Sequence, residues 1–370
     1  MPSVAVGRRP APSVGAAPSP PPARRRRRWI LLGLTGLLAV VALLNAMVGA
    51  VHIPPAAVAA ILAEQLGGFQ LDVAYSDQQA SVLSAIRLPR LALAGVVGAA
   101  LALCGAVMQG IFRNPLAEPG IIGVSSGAAL GAVVAILAGG SLGAGYLAAF
   151  SIPLAAFVGA LIATSAVYLT ARHEGRTEVV TLVLCGIAVS AIAGAGVGMA
   201  QFVADDEELR SIVFWTLGSA SGARGRDLLV ILPLVVVGTV VALRLAAALN
   251  LLVLGEREAR YLGISTEQVR GTLIVVCALV TGAAVAVAGI IGFVGLVVPH
   301  LIRLAFGPDH ELLLPASTIG GAALLLLADL AARTVAAPAE LPLGVVTALI
   351  GGPFFFWLLR RTRRQQGAWG

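Results

Sequence analysis

The sequence predicts an all-α polytopic membrane protein with about ten transmembrane helices and both termini on the cytoplasmic side. Of its 370 residues, 58% are hydrophobic and only 12% are charged, whereas soluble domains carry about 25% charged residues. Apolar segments long enough to cross a bilayer recur along the whole chain. There are 44 glycines and no run of short alternating strands, which favours bundled helices over a barrel.

The apolar segments define the predicted spans. They lie near residues 29–51, 88–110, 120–140, 147–170, 179–203, 228–249, 271–290, 294–306, 312–332 and 342–359. The first follows an arginine run, as the core of a signal peptide would, but it has membrane length and no obvious cleavage site. We therefore expect it to be retained. An even number of spans places both termini on one side.

The distribution of arginine sets the orientation. All basic residues are arginine, and with the N-terminus inside, both arginine-rich tails and most other arginines fall on the inner side. This is the bias that cytoplasmic loops show. The outer side then holds Arg87, Arg90, Arg210, Arg224, Arg226 and Arg333.

Three parts of the chain follow from composition. Residues 1–28 form a Pro/Arg-rich tail that we expect to be disordered and cytoplasmic, residues 29–361 form the ten-helix transmembrane domain, and residues 362–370 form a second cytoplasmic tail. The positive charge belongs to the tails, and no folded basic patch accompanies it. Nucleic acid is therefore not an expected partner, and the lipid bilayer is.

Two loops are long enough to contain helices. The outer loop 52–87 includes "PPAAVAAILAEQLGG", which predicts a surface helix ending at a glycine pair. The inner loop 250–270 reads "NLLVLGEREARYLGISTEQVR". It predicts a short helix over Glu256–Leu262, a glycine stop, and a second helical piece that starts at Ser265–Thr266 and runs toward Arg270. An element this small suits docking of a cytoplasmic partner.

The stretch "IFRNPLAEPGIIGVSSGAALGA" (111–132) interrupts the apolar pattern. Pro115 and Pro119 remove backbone donors, and Asn114 can replace one with its side chain and cap the following helix. Gly123, Gly127 and Gly131 form a small-residue face that permits close helix packing. Two interpretations stay open at this level: a tight capped hairpin, or a turn beside a substrate route.

Isolated polar residues in the spans give no metal or cofactor site. His300 has no second ligand at useful spacing, so we expect a hydrogen-bonded packing histidine. The cysteines Cys104, Cys185 and Cys277 are dispersed and suit packing. Gln109 and Asp329 are polar within or near spans, and each could line a path or join helices.

Three long motifs resemble those of the FecCD-type family, the permease subunits of ATP-binding cassette (ABC) importers for ferric siderophores, haem and cobalamin. The motifs occur in the same order as in the family, and the resemblance covers about residues 30–361. They are "RLPRLALAGVVGAALALCGAVMQGIFRNPLAEPGIIGVSSGAALGA" (87–132), "GIIGFVGLVVPHLIRLAFGPDH" (289–310) and "PAELPLGVVTALIGGPFFFWLLRR" (338–361).

The resemblance implies a multi-pass permease of a bacterial cytoplasmic membrane that forms a homodimer or a heterodimer with a paralogue. An extracytoplasmic binding protein would deliver the substrate, and two cytoplasmic ATP-binding subunits would drive transport. The expected substrate is a ferric siderophore, with haem or cobalamin as the alternative. The chain has no lysine and therefore no phosphate-binding GxxxxGK[ST] motif, so it is not expected to be an enzyme. An ion-coupled secondary transporter is a weaker alternative, because only Asp329 among the acids approaches a span interior.

The resemblance also implies roles for particular residues. In the family, outer arginines pair with glutamates of the binding protein, a role that falls here on Arg87, Arg90 and Arg333; snorkelling to lipid headgroups is the alternative. The coupling helix that contacts the ATPase would include Gly255, Glu256, Ala259, Leu262 and Gly263. Gln109, Asn114 and Pro115 belong to the family's turn and path motif. The inner gate would lie at Thr177, Glu178 and Val179.

Overall fold

A computed structural model of the protein describes residues 23–69, 71–139 and 150–366. Most of the predicted N-terminal tail, the last four residues of the C-terminal tail and the connection between the third and fourth spans lie outside these ranges, so the predictions that fall there are not tested. The first helix begins at Ala23, within the segment expected to be a tail.

The described chain is helical, with one small hairpin. Its α-helices are α1 (Ala23–Met47), α2 (Pro55–Gly67), α3 (Asp77–Ser81), α4 (Leu88–Ile111), α5 (Val124–Leu137), α6 (Ser151–Thr170), α7 (Val179–Val203), α8 (Asp206–Leu217), α9 (Gly225–Arg244), α10 (Ala246–Leu254), α11 (Glu256–Tyr261), α12 (Thr266–Ala288), α13 (Val294–Phe306), α14 (His310–Thr334) and α15 (Leu343–Gln366). A π-helical turn covers Val82–Arg87 and a 3₁₀ turn covers Pro119–Ile122. Strands β1 (Arg172–His173) and β2 (Arg176–Thr177) pair antiparallel.

In the part of the chain that the structure describes, the ten predicted spans are confirmed as ten apolar helices. Seven are long enough to cross a membrane, and α5, α13 and the apolar part of α15 are shorter. The predicted surface helix is α2, which ends at Gly68 in the left-handed conformation.

Two boundaries differ from the sequence prediction. Helix α3, the π-helical turn and α4 form one continuous helix over Asp77–Ile111 of 35 residues, so Arg87 lies inside a helix and not in a loop. In addition, the outer acidic segment contains α8, whose N-terminus is closed by a capping box between Asp205 and Glu208. The D-x-x-E pattern that signals this cap is present in the sequence.

Contacts at the helix ends agree with the predicted orientation. Arg27 at the start of α1 pairs with Asp309 at 2.5 Å and with Glu311 at 2.7 Å, and all three were assigned to the inner side. Arg333 near the end of α14 donates to the Oδ1 atom of Asn45 near the end of α1 at 2.9 Å, on the outer side. The structure therefore brings together residues that the arginine bias had placed on the same side.

Helix α4 occupies the centre of the bundle and is buried along most of its length. Two of its glycines permit backbone contact with neighbouring helices. A Cβ atom on Gly98 would lie 2.3 Å from the carbonyl oxygen of Gly321 in α14, and a Cβ atom on Gly105 would lie 1.8 Å from the carbonyl oxygen of Gly295 in α13. Both distances are far below van der Waals contact, so only glycine fits at these crossings.

The predicted small-residue face of α5 packs against α6. A Cβ atom on Gly127 would lie 2.4 Å from the carbonyl oxygen of Gly159, and one on Gly131 would lie 2.1 Å from that of Ala155. Close approach of this kind replaces hydrophobic attraction as the source of helix association in a bilayer. The interpretation of this stretch as a packing face is confirmed for these two glycines.

We expect Gly105→Ala to destabilise the protein by roughly 1–3 kcal/mol, because the added methyl group overpacks the α4–α13 crossing against backbone that cannot rotate away. Gly95→Ala on the same helix is the matched control, since its Cβ atom would meet no atom within 4 Å. Thermal unfolding of the purified protein in detergent measures both. Equal melting temperatures for the two variants would show that the crossing is not tight.

Candidate functional site

The three outer arginines lie together around one cavity on the outer side. This cavity has a volume of about 470 Å³, and Arg87, Arg90 and Arg333 line it together with Glu340 and the 48–51 turn. Topology alone placed these arginines on one face, and the structure brings them into one cluster.

Asp329 is the centre of this outer arginine cluster. Its side chain is 1% exposed. One carboxylate oxygen accepts a hydrogen bond from Nε of Arg90 at 2.8 Å, and the other lies 3.2 Å from Nε of Arg333. A buried carboxylate between two guanidinium groups is held strongly. Without the carboxylate, the two buried positive charges would face each other with no negative charge between them. Of the two roles left open for Asp329, the structure shows the helix-joining one.

The other donors of the cluster bind the outer end of α1. Arg87 donates through Nη1 to the carbonyl oxygen of Ala46 at 2.5 Å and through Nη2 to that of Val51. Arg333 donates to the carbonyl oxygen of Val48 at 3.2 Å. These carbonyls lie in the last turn of α1 and just after it, where helical donors are missing, so the guanidinium groups satisfy them. Arg87 and Arg90 are thus largely committed within the subunit.

Glu340 is the exposed member of the cluster. Its two oxygens accept from Nη1 of Arg90 at 3.0 and 2.9 Å, while 45% of its side chain is exposed. An exposed partner of this kind contributes little to stability and can be exchanged for another carboxylate. Sequence reasoning missed Asn45 and Glu340, because neither shows its role without the fold.

Gln109 is buried and joins α4 to α13. Its Nε2 atom donates to the carbonyl oxygens of Gly295 at 3.3 Å and Leu296 at 3.2 Å, and its Oε1 atom accepts from Arg303 at 2.7 Å. Pro299 lacks the N–H that would bond to the carbonyl of Gly295 four residues earlier, so the amide of Gln109 takes that place. Its side chain faces a helix junction inside the subunit.

Asn114 acts within the turn and does not cap the following helix as the sequence suggested. Its Oδ1 atom accepts from the backbone N–H of Leu116 at 3.0 Å, and its backbone carbonyl accepts from Ala117 at 3.1 Å. Pro115 is exposed beside it. The next helical turn begins only at Pro119, too far along the chain for an Asn114 cap. The tight turn of the hairpin interpretation is therefore present, whereas the cap that it assigned to Asn114 is not.

His300 has no hydrogen-bond partner among the residues that the structure describes. The expected hydrogen bond is therefore absent there, and the ring instead makes an edge contact with Phe354 at 6.2 Å between centroids. Within the described ranges no group of three His, Cys, Asp or Glu side chains could hold a metal ion.

The predicted coupling segment is a short exposed helix on the inner side. Helix α11 lies between Gly255, with φ +150°, and Gly263, with φ +83°, both values that favour glycine. Ala259 is fully buried against the neighbouring helices, whereas Leu262 is 63% exposed. An exposed leucine on a cytoplasmic surface, with a small residue seating its helix, suits an apolar contact with a partner.

Glu256, at the start of α11, interacts with a group of arginines. Burial alone would raise the pKa of its carboxyl group, but the hydrogen bond and charge of Arg270, with the charges of Arg113 and Arg260, together hold the pKa below its ordinary value. A carboxyl group with a lowered pKa stabilises the fold above its ordinary pKa and loses this effect as the pH falls through the lowered value. Glu256 is therefore charged at neutral pH.

Among the predicted gate residues, Thr177 lies next to the start of α12, the helix that follows α11. Thr177 ends the β1–β2 hairpin and is buried. Its backbone N–H donates to Oε2 of Glu267 at 3.1 Å, and its hydroxyl group donates to Oε1 of the same residue. Glu178 precedes α7 and accepts from the hydroxyl of Thr181 at 2.8 Å, and Val179 is the first residue of α7. Thr177 of the predicted gate thus lies against the start of α12, a contact that sequence reasoning missed.

Comparison with known proteins now identifies the family. The FecCD transport family model matches residues 37–361. The hemin transport system permease protein HmuU of Yersinia pestis is 49% identical over 281 residues, which are 76% of this chain and 84% of that protein. The cobalamin import system permease protein BtuC of Halobacterium salinarum is 47% identical over 279 residues, 75% of this chain and 73% of that protein.

Longer matches support the same assignment. The vitamin B12 import system permease protein BtuC of Klebsiella pneumoniae is 42% identical over 340 residues, 92% of this chain and 96% of that protein. A solved structure described as an inward-facing conformation of a metal-chelate type ABC transporter superposes with a TM-score of 0.77 at 35% identity, covering 90% of this chain and 99% of that one. The chain belongs to the FecCD transport family.

Proposed function

We propose that this chain is the transmembrane permease subunit of an importer that moves an iron–siderophore chelate across the cytoplasmic membrane, with the energy supplied by separate ATP-binding subunits. Membership of a family of ABC importer permeases supports the transport role. The observation that carries the proposal is the exposed inner helix α11 on a chain that has no lysine and hence no nucleotide-binding motif of its own. The chain is a transport component, and hydrolysis belongs to its partner.

Haem and cobalamin are the second candidate substrates, and the names of several similar permeases are the observation that favours them. Three of the similar relatives are named as hemin, cobalamin and vitamin B12 permeases. All of these molecules are metal complexes whose organic ligands occupy most positions around the metal. A permease for such a substrate therefore needs a wide path and no metal ligands of its own.

Uptake of labelled chelates by cells that lack this gene tests the substrate. Ferric hydroxamate, ferric catecholate, haem and cobalamin are supplied separately, with a strain carrying the restored gene as the control. We expect loss of uptake for a ferric siderophore alone. Loss for haem or cobalamin alone would keep the importer and replace the substrate, whereas unchanged uptake of all four would contradict the proposal.

The outer arginine cluster supports docking of a binding protein. Arg87, Arg90 and Arg333 line one outer cavity and exceed the carboxylates Asp329 and Glu340 by one positive charge. Glu340 shows that a carboxylate in this cavity binds Arg90. A glutamate from the binding protein would make the same planar, charge-assisted contact. Rim charges of this kind also steer association. The two permeases of a dimer would present two such cavities to the two lobes of one binding protein.

We expect the double variant R87E/R90E to weaken binding-protein affinity by tenfold or more, about 1.4 kcal/mol, because it places negative charge where a carboxylate must dock. Surface plasmon resonance on the permease–ATPase complex in nanodiscs measures the affinity. R210E is the matched control, since Arg210 is outer and exposed but lies outside the cavity.

Both arginines in this test are buried, so the double variant could lose affinity because it misfolds. Co-purification of the ATPase with R87E/R90E shows that the variant is assembled and that the loss reflects docking. Where the double variant does not assemble, the milder R90K carries the test, because lysine keeps the charge and loses the bidentate fork. Unchanged affinity in an assembled variant would refute the docking role.

Leu262 supports contact with the ATPase. It follows the last residue of α11, is largely exposed on the inner side and lies next to Tyr261, which is also exposed. Together they form a small apolar surface on a helix otherwise rich in charge. The gate at Thr177, Glu178 and Val179, and the dimer itself, remain parts of the same proposal.

We expect L262D to reduce ATP-driven uptake by about tenfold or more, since truncation of an apolar anchor at an interface typically costs 1–2 kcal/mol and a buried charge costs more. Uptake and ATP hydrolysis are measured together in proteoliposomes. L209D in α8 is the control, because Leu209 is partly exposed but lies on the outer side. Full transport by L262D would rule out the coupling assignment.

A further inference from the structure

Arg270 connects two inner segments that are far apart in the sequence. It lies in the first turns of α12 and is 4% exposed. Its Nη1 atom donates to the carbonyl oxygen of Thr177 at 3.0 Å and lies 3.4 Å from Oε2 of Glu267, while its Nη2 atom donates to Oε1 of Glu256. One guanidinium group therefore contacts the hairpin, α12 and α11 together.

Every polar group of Thr177 makes a hydrogen bond. Its N–H and hydroxyl groups donate to Glu267, and its carbonyl accepts from Arg270. Because Thr177 pairs with Arg172 across the hairpin, the hairpin is fixed to the same group of side chains. The hairpin leads directly into α7 through Glu178, whose backbone N–H donates to the carbonyl of Ala171 at 3.1 Å.

Helix α11 can move as one short piece. It has six residues and lies between two glycines with positive φ, Gly255 and Gly263, where the backbone has most freedom. If α11 moves, Glu256 moves with it. If Glu256 moved away, the buried guanidinium of Arg270 would keep Glu267 at 3.4 Å but lose its other carboxylate partner, so displacement of Glu256 favours a matching displacement of Arg270.

We propose that Arg270 is a positioning residue that transmits displacement of α11 to the hairpin Arg172–Thr177 and so to the inner end of α7. The inference rests on the proposed docking of an ATPase on α11. It adds the residue that carries the movement onward, and the planar fork of arginine is needed because Glu256 and Thr177 bind different guanidinium nitrogens.

A purely structural clamp is the competing explanation, since spatial connection alone does not demonstrate coupling. A clamp would lower stability and assembly when removed, and would affect ATP hydrolysis and transport in equal proportion. Removal of a transmitting residue would leave ATP hydrolysis largely intact, but hydrolysis would no longer move the hairpin. The experiment must therefore measure hydrolysis, transport and hairpin movement in one preparation.

The test uses the complete transporter, with ATPase and binding protein, in liposomes. The variants are R270Q, R270K, E256Q and the double variant R270Q/E256Q. R244Q is the matched control, because Arg244 is an exposed arginine at the inner end of α9. A spin label at exposed position 173, introduced as H173C in a C185A background, reports hairpin movement, since Cys104 and Cys277 are buried. Transport is assayed with ferric hydroxamate, ferric catecholate, haem and cobalamin.

We expect R270Q to keep at least half of the ATP hydrolysis while transport per ATP falls about tenfold, within the range that coupling residues produce. The label should no longer respond to nucleotide. The R270Q/E256Q variant should be no worse than R270Q, because both remove the same connection. R270K should retain partial coupling, since the charge remains without the fork, and R244Q should match the wild type.

Transport by R270Q within about twofold of the wild type would overturn the inference, as would equal loss of hydrolysis and transport with a normal label response. If R270Q does not assemble, E256Q decides, because it keeps the shape of the side chain; unchanged coupling in E256Q would overturn the proposal. A wild-type complex that hydrolyses no ATP with this subunit would instead refute the proposed function, and the inference with it.

Discussion

Backbone-to-backbone contact along α4 is the constraint on which the rest of the structure depends. Gly98 and Gly105 let α14 and α13 approach until side chains cannot fit between them. In a bilayer, lipid is as apolar as leucine, so close packing and hydrogen bonds have to hold the helices together. The position of α14 then brings Asp329 and Arg333 to Arg90, and the position of α13 brings the carbonyl of Gly295 to Gln109.

The second constraint is that polar groups in the spans must find partners within the protein. Pro299 leaves a carbonyl without its helical donor, and the amide of Gln109 supplies one. Asn45 donates to the carbonyl of Leu326 at 3.1 Å and so ties α1 to α14. Gln109 and Asp329, for which sequence analysis left open whether they line a path or join helices, therefore join helices. The same requirement explains why the outer arginines turn inward.

The two ends of the bundle use arginine in related ways with different consequences. On the outer side, arginines bind a buried carboxylate and the free carbonyls after α1, which fixes three long elements rigidly. On the inner side, Arg270 binds short segments, a two-strand hairpin and a six-residue helix with a glycine at each end. The outer cluster thus suits a stable docking surface, whereas the inner group suits movement.

The sequence by itself determined the membrane class, the ten spans, their orientation and the short inner helix α11. These features depend on local composition: runs of apolar residues, the bias of arginine between sides, and a glycine that ends a helix. Helix α8 could also have been found from its D-x-x-E cap. Such signals depend on the residue types present in each segment, so they can be recognised in the sequence without knowledge of the fold.

Only the tertiary structure decided which charged and polar groups contact each other. Arg90 and Asp329 are 239 positions apart, and Arg270 and Thr177 are 93 apart, so no local pattern encodes either pairing. Topology correctly placed Arg87 and Arg90 on the outer side, but it could not show that their side chains are buried against the outer end of α1. The physical reason is that a charge in a bilayer protein is satisfied by whichever partner helix packing brings within hydrogen-bond distance, and that packing is set by the glycine crossings on α4.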